Sequence, residues 1–86
     1  MNNEELLDNL QALTDQLGIP LLRKEGDFKG GICRFRGRQV FLINSSLSIS
    51  ETISVFCNEL AYQDLSRVFV LPAIRELIES RGHQVS

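Results

Sequence analysis

The sequence has few of the residues from which metal and catalytic sites are usually built. Its 86 residues include one histidine and two cysteines. One imidazole cannot supply a paired zinc motif, and the serines have no neighbouring histidine that would activate a hydroxyl. Cys33 and Cys57 lie in separate apolar runs without the spacing of a disulfide framework, so we expect both to be small core residues. We therefore expect no metal, no cofactor and no catalytic activity.

Long apolar runs and a basic leader are also missing. No window reaches the length of a membrane span, and the first ten residues are acidic where a signal peptide requires positive charge. Cysteines without a framework are typical of a reducing compartment. We expect a cytoplasmic protein without membrane contact. With 43% apolar residues, the chain is predicted to form one domain over residues 1–82, with a flexible tail at 83–86.

Basic residues are absent from the first 22 positions, which carry four acidic side chains. Residues 23–38 reverse this balance with six basic and two acidic side chains, although the whole chain has a net charge of −2. This basic segment indicates either a solvated hairpin that resists edge-to-edge association or a surface that binds phosphate or nucleic acid. No aromatic ladder accompanies the cations, so nucleic acid is not the favoured partner. The candidate anion-binding residues are Arg34, Arg36, Arg38 and Lys29.

The chain begins with the pattern of an amphipathic helix. Leucines at spacings of three and four predict this helix over residues 3–17, and Gly18 can adopt the conformation that closes it. Pro20 prevents continuation of the helix and marks a short extended segment over residues 19–23. This segment is predicted to be the first strand.

A β-hairpin is predicted next. Residues 31–36 and 38–44 are rich in β-forming side chains, and Gly37 between them supplies the positive φ that a tight turn requires. Alternation places Cys33 and Phe35 on one face of the first hairpin strand, which we expect to be the core face. The opposite face then carries Ile32, Arg34 and Arg36.

The second strand of the hairpin is apolar on both of its faces. Such a strand is unusual in a small sheet with one solvated side, so either another element or another subunit must cover the second face. A homodimer is the simplest solution, because a two-fold axis lets one apolar patch cover itself. The predicted interface residues are Val40, Phe41, Leu42 and Ile43.

The second half of the chain is predicted to be helical. Ser48 and Glu51 form the pattern of a capping box, which begins a helix that should run to about Leu65. A short extended run at residues 68–71 precedes a last helix over residues 72–80, with proline at its first position. The sequence therefore predicts an α+β domain with an N-terminal helix, a three-stranded antiparallel meander, a capped helix and a C-terminal helix.

Three short motifs stand in the same order as in a known family. Leu-Gly-Ile at residues 17–19 ends the first helix, Leu-Ile-Asn at 42–44 closes the third strand, and Asn-Glu-Leu-Ala-Tyr at 58–62 lies on the capped helix. Over residues 12–65 this order resembles the ImmA/IrrE group of zincin-like metallopeptidases. The resemblance implies a first helix, a small meander, and a later helix that carries His-Glu-x-x-His in the family.

The departures from this motif concern the metal ligands. The chemistry needs two imidazoles one helical turn apart, with a glutamate between them that acts as base on the zinc-bound water. Asn58 and Tyr62 stand in the two histidine positions, and only Glu59 matches. An amide and a phenol do not replace two imidazoles as zinc ligands. The resemblance therefore implies a scaffold without zinc, in which Glu59 is a surface or capping carboxylate.

The remaining carboxylates of the capped helix do not form a catalytic pair. Glu51, Glu59 and Asp64 are eight and five residues apart, and Glu51 belongs to the capping box. We expect a non-enzymatic domain that binds another protein or itself. Two alternatives stay open, namely binding of phosphate or nucleic acid through the basic hairpin, and a degenerate metallopeptidase-like scaffold without activity.

Overall fold

A computed structural model describes residues 1–82, and the predicted tail at 83–86 lies outside the described residues. The chain folds into three helices and a three-stranded sheet, which confirms the predicted α+β class. No helix in residues 1–82 has both the length and the apolar character that crossing a bilayer would require. In chain order, the elements are α1 (Asn3–Gln16), β1 (Leu21–Lys24), β2 (Gly30–Phe35), β3 (Arg38–Asn44), α2 (Ile49–Leu60) and α3 (Pro72–Gly82).

The helix starts follow the local signals in the sequence. The Asn2 side chain accepts a hydrogen bond from the Glu5 amide at 2.8 Å and caps α1. At α2 the predicted capping box is present. The Ser48 Oγ accepts from the Glu51 amide at 3.1 Å, and the Glu51 Oε1 accepts from the Ser48 amide at 3.0 Å. These bonds satisfy amides that have no partner within a helix.

The end of α2 differs from the prediction. The helix ends at Leu60 rather than near residue 65, because the Tyr62 and Gln63 amides bond to carbonyls three residues back and tighten the last turn. The Asp64 carboxylate then accepts from the Ser66 amide at 3.0 Å and holds a turn. Residues 68–71 form no strand and lead directly into α3.

The order of the strands corrects the predicted antiparallel meander. The sheet has the order β1-β3-β2, so β1 and β2 are the two edges and β3 is central. The predicted hairpin is confirmed, and β2 pairs antiparallel with β3 through a turn in which Arg36 and Gly37 have φ of 54° and 79°. Positive φ at both central residues is typical of a type I′ turn. β1, however, pairs parallel with β3. The meander fails because residues 25–29 cross over the end of β3 to reach the other edge.

Asn44 fixes this crossing. Its side chain is 4% exposed, and its Nδ2 donates to the Gly26 carbonyl at 2.8 Å and to the Phe28 carbonyl at 2.5 Å. Its Oδ1 accepts from the Ser46 amide at 2.9 Å, which turns the chain out of the sheet. One buried amide therefore ties the crossing loop to the last residue of the central strand.

The two faces of β2 are reversed relative to the prediction. The antiparallel register places Ile32 beside Phe41 and Cys33 beside Val40. Phe41 is fully buried among the helices, and Ile32 packs against the same core. Cys33 is exposed and Phe35 is 58% exposed, so the expectation that they face the core was wrong. Alternation shows which side chains share a face, but only strand pairing and helix packing decide which face is buried.

The core lies on one side of the sheet. Phe41 and Ile43 from β3 meet buried side chains of all three helices there, and the Phe41 ring lies 4.6 Å from that of Phe56, centroid to centroid. The apolar side chains of the other side do not belong to this core cluster. We call that side the open face, and its apolar residues are Leu22, Cys33, Phe35, Val40 and Leu42.

We predict that Asn44→Ala lowers the free energy of unfolding by about 2 to 4 kcal/mol, because three backbone groups lose their partner. Asn44→Asp should be at least as damaging at neutral pH, since a carboxylate would face the Gly26 and Phe28 carbonyls. Urea unfolding at pH 7 and pH 4 measures both variants. Asn44→Asp should recover part of its loss at the lower pH, where the protonated acid can donate.

Asn9→Ala is the matched control for this prediction, because the Asn9 amide donates only to the exposed Glu5 carbonyl of its own helix and to the Met1 sulfur. Its effect should stay within about 0.5 kcal/mol. Equal effects of Asn9→Ala and Asn44→Ala would contradict the role of Asn44.

Candidate functional site

Glu59, the one residue that matches the predicted metal motif, binds a backbone amide of the sheet. Its Oε1 accepts a hydrogen bond from the Ile32 amide at 2.9 Å. Ile32 lies on the edge strand β2, and its partner Phe41 donates its own amide away from β2, to the Pro20 carbonyl. The Ile32 amide therefore points out of the sheet, and the carboxylate closes this part of the edge.

Gly31 makes this contact possible. A Cβ built at Gly31 would overlap the Oε1 of Glu59, and the residue has φ of +151°. A glycine is therefore required where the carboxylate reaches the strand backbone. Glu59 and Gly31 form one structural contact between α2 and β2, in which the carboxylate holds a backbone amide.

Asn58 and Tyr62, the two residues at the histidine positions of the predicted motif, lie in different environments. Asn58 lies within α2, and its Oδ1 is buried without a hydrogen-bond partner in the described part of the chain. Tyr62 lies beyond the end of α2 and is 73% exposed. Among residues 1–82, no group of three or more histidine, cysteine, aspartate and glutamate side chains could hold a metal ion.

A groove runs along α2 on the helical side of the molecule. It has a volume of about 560 Å³. Ser50, Ser54 and Asn58 follow one another at intervals of four residues, so they lie on one face of the helix. The crossing loop and the last turn of α3 supply one cation each at its sides. We call this the α2 groove, and its polar lining is Lys29, Ser50, Glu51, Ser54, Asn58 and Arg81.

Sequence reasoning found half of this arrangement. Lys29 was a candidate anion-binding residue, but Arg81 was not, because it lies one residue beyond the predicted end of the last helix and far from Lys29 in sequence. The structure extends α3 to Gly82 and brings Arg81 to the groove. A basic residue is common in the last turn of a helix, because it interacts favourably with the helix dipole. Nothing in the sequence therefore marks Arg81 as a groove residue.

The four candidate anion-binding residues do not form one patch. Arg34 lies opposite Gln39 on the helical side of the sheet, whereas Arg38 lies opposite Phe35 on the open face. The Arg36 guanidinium stacks over the Phe35 ring at 5.2 Å from its centroid. Lys29 precedes β2, and a six-residue strand spans roughly 20 Å, so Lys29 is remote from the hairpin turn.

The four predicted interface residues also separate. Phe41 and Ile43 are 0% and 1% exposed within the core, so they cannot contact a partner while the domain is folded. Val40 and Leu42 lie on the open face, where Leu22 and Phe35 flank them, but Val40 is also buried at 7% exposure and Leu42 is half-buried. Of the four predicted interface residues, Leu42 is therefore the most accessible on the open face, and their role in an interface stays a prediction.

The two cysteines differ sharply in environment. Cys57 is fully buried in the core, as predicted, and burial raises the pKa of its thiol to about 11, an effect that the nearby Arg81 charge partly offsets. Cys33 is exposed on the open face. A thiolate is the reactive form of cysteine, so Cys57 has neither the access nor the charge state for nucleophilic chemistry.

Comparisons of the chain with protein-family models, with curated proteins and with solved structures found no match. The resemblance to the ImmA/IrrE group therefore stays a prediction that rests on the three motifs alone.

We predict that Glu59→Ala lowers the free energy of unfolding by about 1 to 3 kcal/mol, as expected for a lost hydrogen bond to a charged group. Glu59→Gln should retain most of this stability, since its amide oxygen can still accept from Ile32. Gly31→Ala should displace the carboxylate and break the same bond. Because both changes remove one contact, their effects in the double variant should fall short of the sum, and full additivity in denaturant unfolding would contradict the contact.

A pH prediction follows from the buried thiol of Cys57. Its pKa is raised from 9.0 to about 11 in the folded state, so the unfolded chain loses this proton first as the pH rises. The stability contribution of the neutral thiol is therefore complete below pH 9 and is lost progressively as the pH approaches 11. Thermal melts should show a steeper fall over this range in the parent protein and in Cys33→Ser than in Cys57→Ala. Equal slopes in the parent protein and in both variants would contradict the stabilising role of the neutral Cys57 thiol.

Proposed function

We propose that this domain works by binding protein through its open face, without catalysis, and that the occupant of the face is a second copy of the same chain. The observation that carries the proposal is the exposure of large apolar side chains on that face. Leu22 is 44% exposed and Phe35 is 58% exposed, and they flank Val40 and Leu42 on the central strand. Covering apolar surface of this kind with another surface lowers the free energy, so it favours association.

The charges of the open face support association between two copies. By register, its cations Lys24 and Arg38 lie at opposite ends of β3, so the centre of the face is apolar. An apolar centre inside a charged rim is the usual anatomy of a protein interface. A two-fold axis lets this one patch cover itself and requires no other partner.

Face-to-face packing is favoured over pairing of strand edges. The outer Ile32 amide of β2 already bonds to Glu59, so this edge is partly closed to a new strand. The other edge strand, β1, has only four residues, two of them the cations Arg23 and Lys24. Short, charged strands are poor templates for edge pairing.

We further propose that the protein works in the reducing environment of the cytoplasm. The exposed thiol of Cys33 supports this, because exposed single thiols persist where disulfides do not form. Neither this proposal nor self-association depends on the ImmA/IrrE resemblance. If that kinship holds, it concerns the scaffold, since Glu59 is engaged with the Ile32 amide.

We predict the mass of a dimer in sedimentation velocity at micromolar concentration, with dissociation on dilution. Phe35→Ser should weaken association about tenfold or more, because it removes the most exposed aromatic ring of the open face. Phe69→Ser is the matched control, since this ring is 71% exposed but lies outside the sheet, and it should leave association unchanged.

A monomer at all concentrations would contradict self-association. Equal weakening by Phe35→Ser and Phe69→Ser would contradict the assignment of the interface to the open face. Both substituted positions are exposed, so neither variant is expected to unfold the domain.

A further inference from the structure

We propose that the α2 groove is a binding site for a small ligand that carries a phosphate group. The groove is built by the crossing loop, α2 and the last turn of α3, whereas the open face lies on the other side of the sheet. This inference is therefore independent of self-association. It moves the predicted phosphate site from the hairpin, where the arginines diverge, to the other end of the domain.

Two cations from separate elements line the groove. Lys29 ends the crossing loop that Asn44 holds in place, and Arg81 belongs to the last turn of α3. Among residues 1–82, the side-chain hydrogen bonds involve neither of these two side chains. An ammonium and a guanidinium offer three and five donors respectively, which suits the oxygens of a phosphate.

The α2 side of the groove adds neutral donors. Asn58 lines the groove, and within residues 1–82 its side chain makes no hydrogen bond, so its Nδ2 has a donor to offer while its Oδ1 is buried. Ser50, which carries a hydroxyl donor, lines the same groove. The Ser54 hydroxyl donates to the Ser50 carbonyl at 3.2 Å and so is already used. Two cations, one amide and one hydroxyl form a donor set of the kind that binds a phosphate group.

Glu51 sets the limit on affinity. Its carboxylate also lines the groove, and one of its oxygens accepts from the Ser48 amide in the capping box. This negative charge opposes an anion but leaves an excess of one positive charge among Lys29, Arg81 and Glu51.

The groove volume of about 560 Å³ lies within the range of roughly 300 to 1,000 Å³ for small-molecule sites. A small phosphate ligand fits these features better than a nucleic acid, which needs an extended basic surface.

Inorganic phosphate is the probe for this site, titrated to about 20 mM into ¹⁵N-labelled protein with chloride at matched ionic strength as the blank. We expect saturable shifts of amides along the Ser50 to Asn58 face of α2. The double variant Lys29→Ala/Arg81→Ala should bind about tenfold or more weakly, since it loses both cations. Arg67→Ala/Arg75→Ala is the matched control with the same change in net charge, and it should bind like the parent protein, because both side chains are exposed and neither lines the groove.

Glu51→Gln is a second test, because it should increase the affinity for phosphate, and misfolding would only decrease it. Glutamine keeps an oxygen for the Ser48 amide but removes the negative charge, so phosphate should bind several-fold more tightly. Absence of saturable shifts in both the parent protein and Glu51→Gln would overturn the proposal. Equal weakening in the two double variants would also overturn it, because binding would then follow net charge alone.

Discussion

The buried amide of Asn44 determines how the rest of this small domain is arranged. The chain leaves β1 at one edge of the sheet and must begin β2 at the other, so its connection crosses the end of the central strand. Asn44 stands at that end and holds the crossing through two carbonyls, Gly26 and Phe28, and the exit of the chain through Ser46. The same crossing places Lys29 beside α2. A single polar side chain therefore links the strand order to the geometry of the groove.

Glu59 provides the second fixed point, and it changes the meaning of the motif on α2. A glutamate at this place in the sequence first suggests a base beside a metal. In the structure it binds the Ile32 amide, and Gly31 leaves the space that the carboxylate needs. Asn58 lies within α2, whereas Tyr62 lies beyond its end at Leu60. The helix therefore serves as a structural element that packs on the core and partly closes one edge of the sheet.

The sequence was a good guide to features that local chemistry decides. The capping box of Ser48 and Glu51, the turn at Gly37 and the class of the fold depend on neighbouring residues, and all were predicted. The position of β1 and the buried face of β2 were not, because both depend on pairing between distant segments. Arg81 was missed for the same reason. Its role in the groove exists only after α3 has packed against α2.

The molecule thus presents two distinct surfaces. The helical side has a polar groove with an excess of positive charge, and the opposite side of the sheet has exposed apolar residues that the helices do not cover. A domain of this size needs only one packed face to fold, so an apolar second face that stays exposed requires a further explanation. The proposed association with a second copy would explain it.

Amide chemical shifts recorded over a dilution series test most directly whether the open face binds a second copy. Concentration-dependent shifts should appear at Leu22, Cys33 and Leu42 and should be absent along α3. Spectra that do not change between high and low protein concentration, or shifts confined to the helical side, would contradict it.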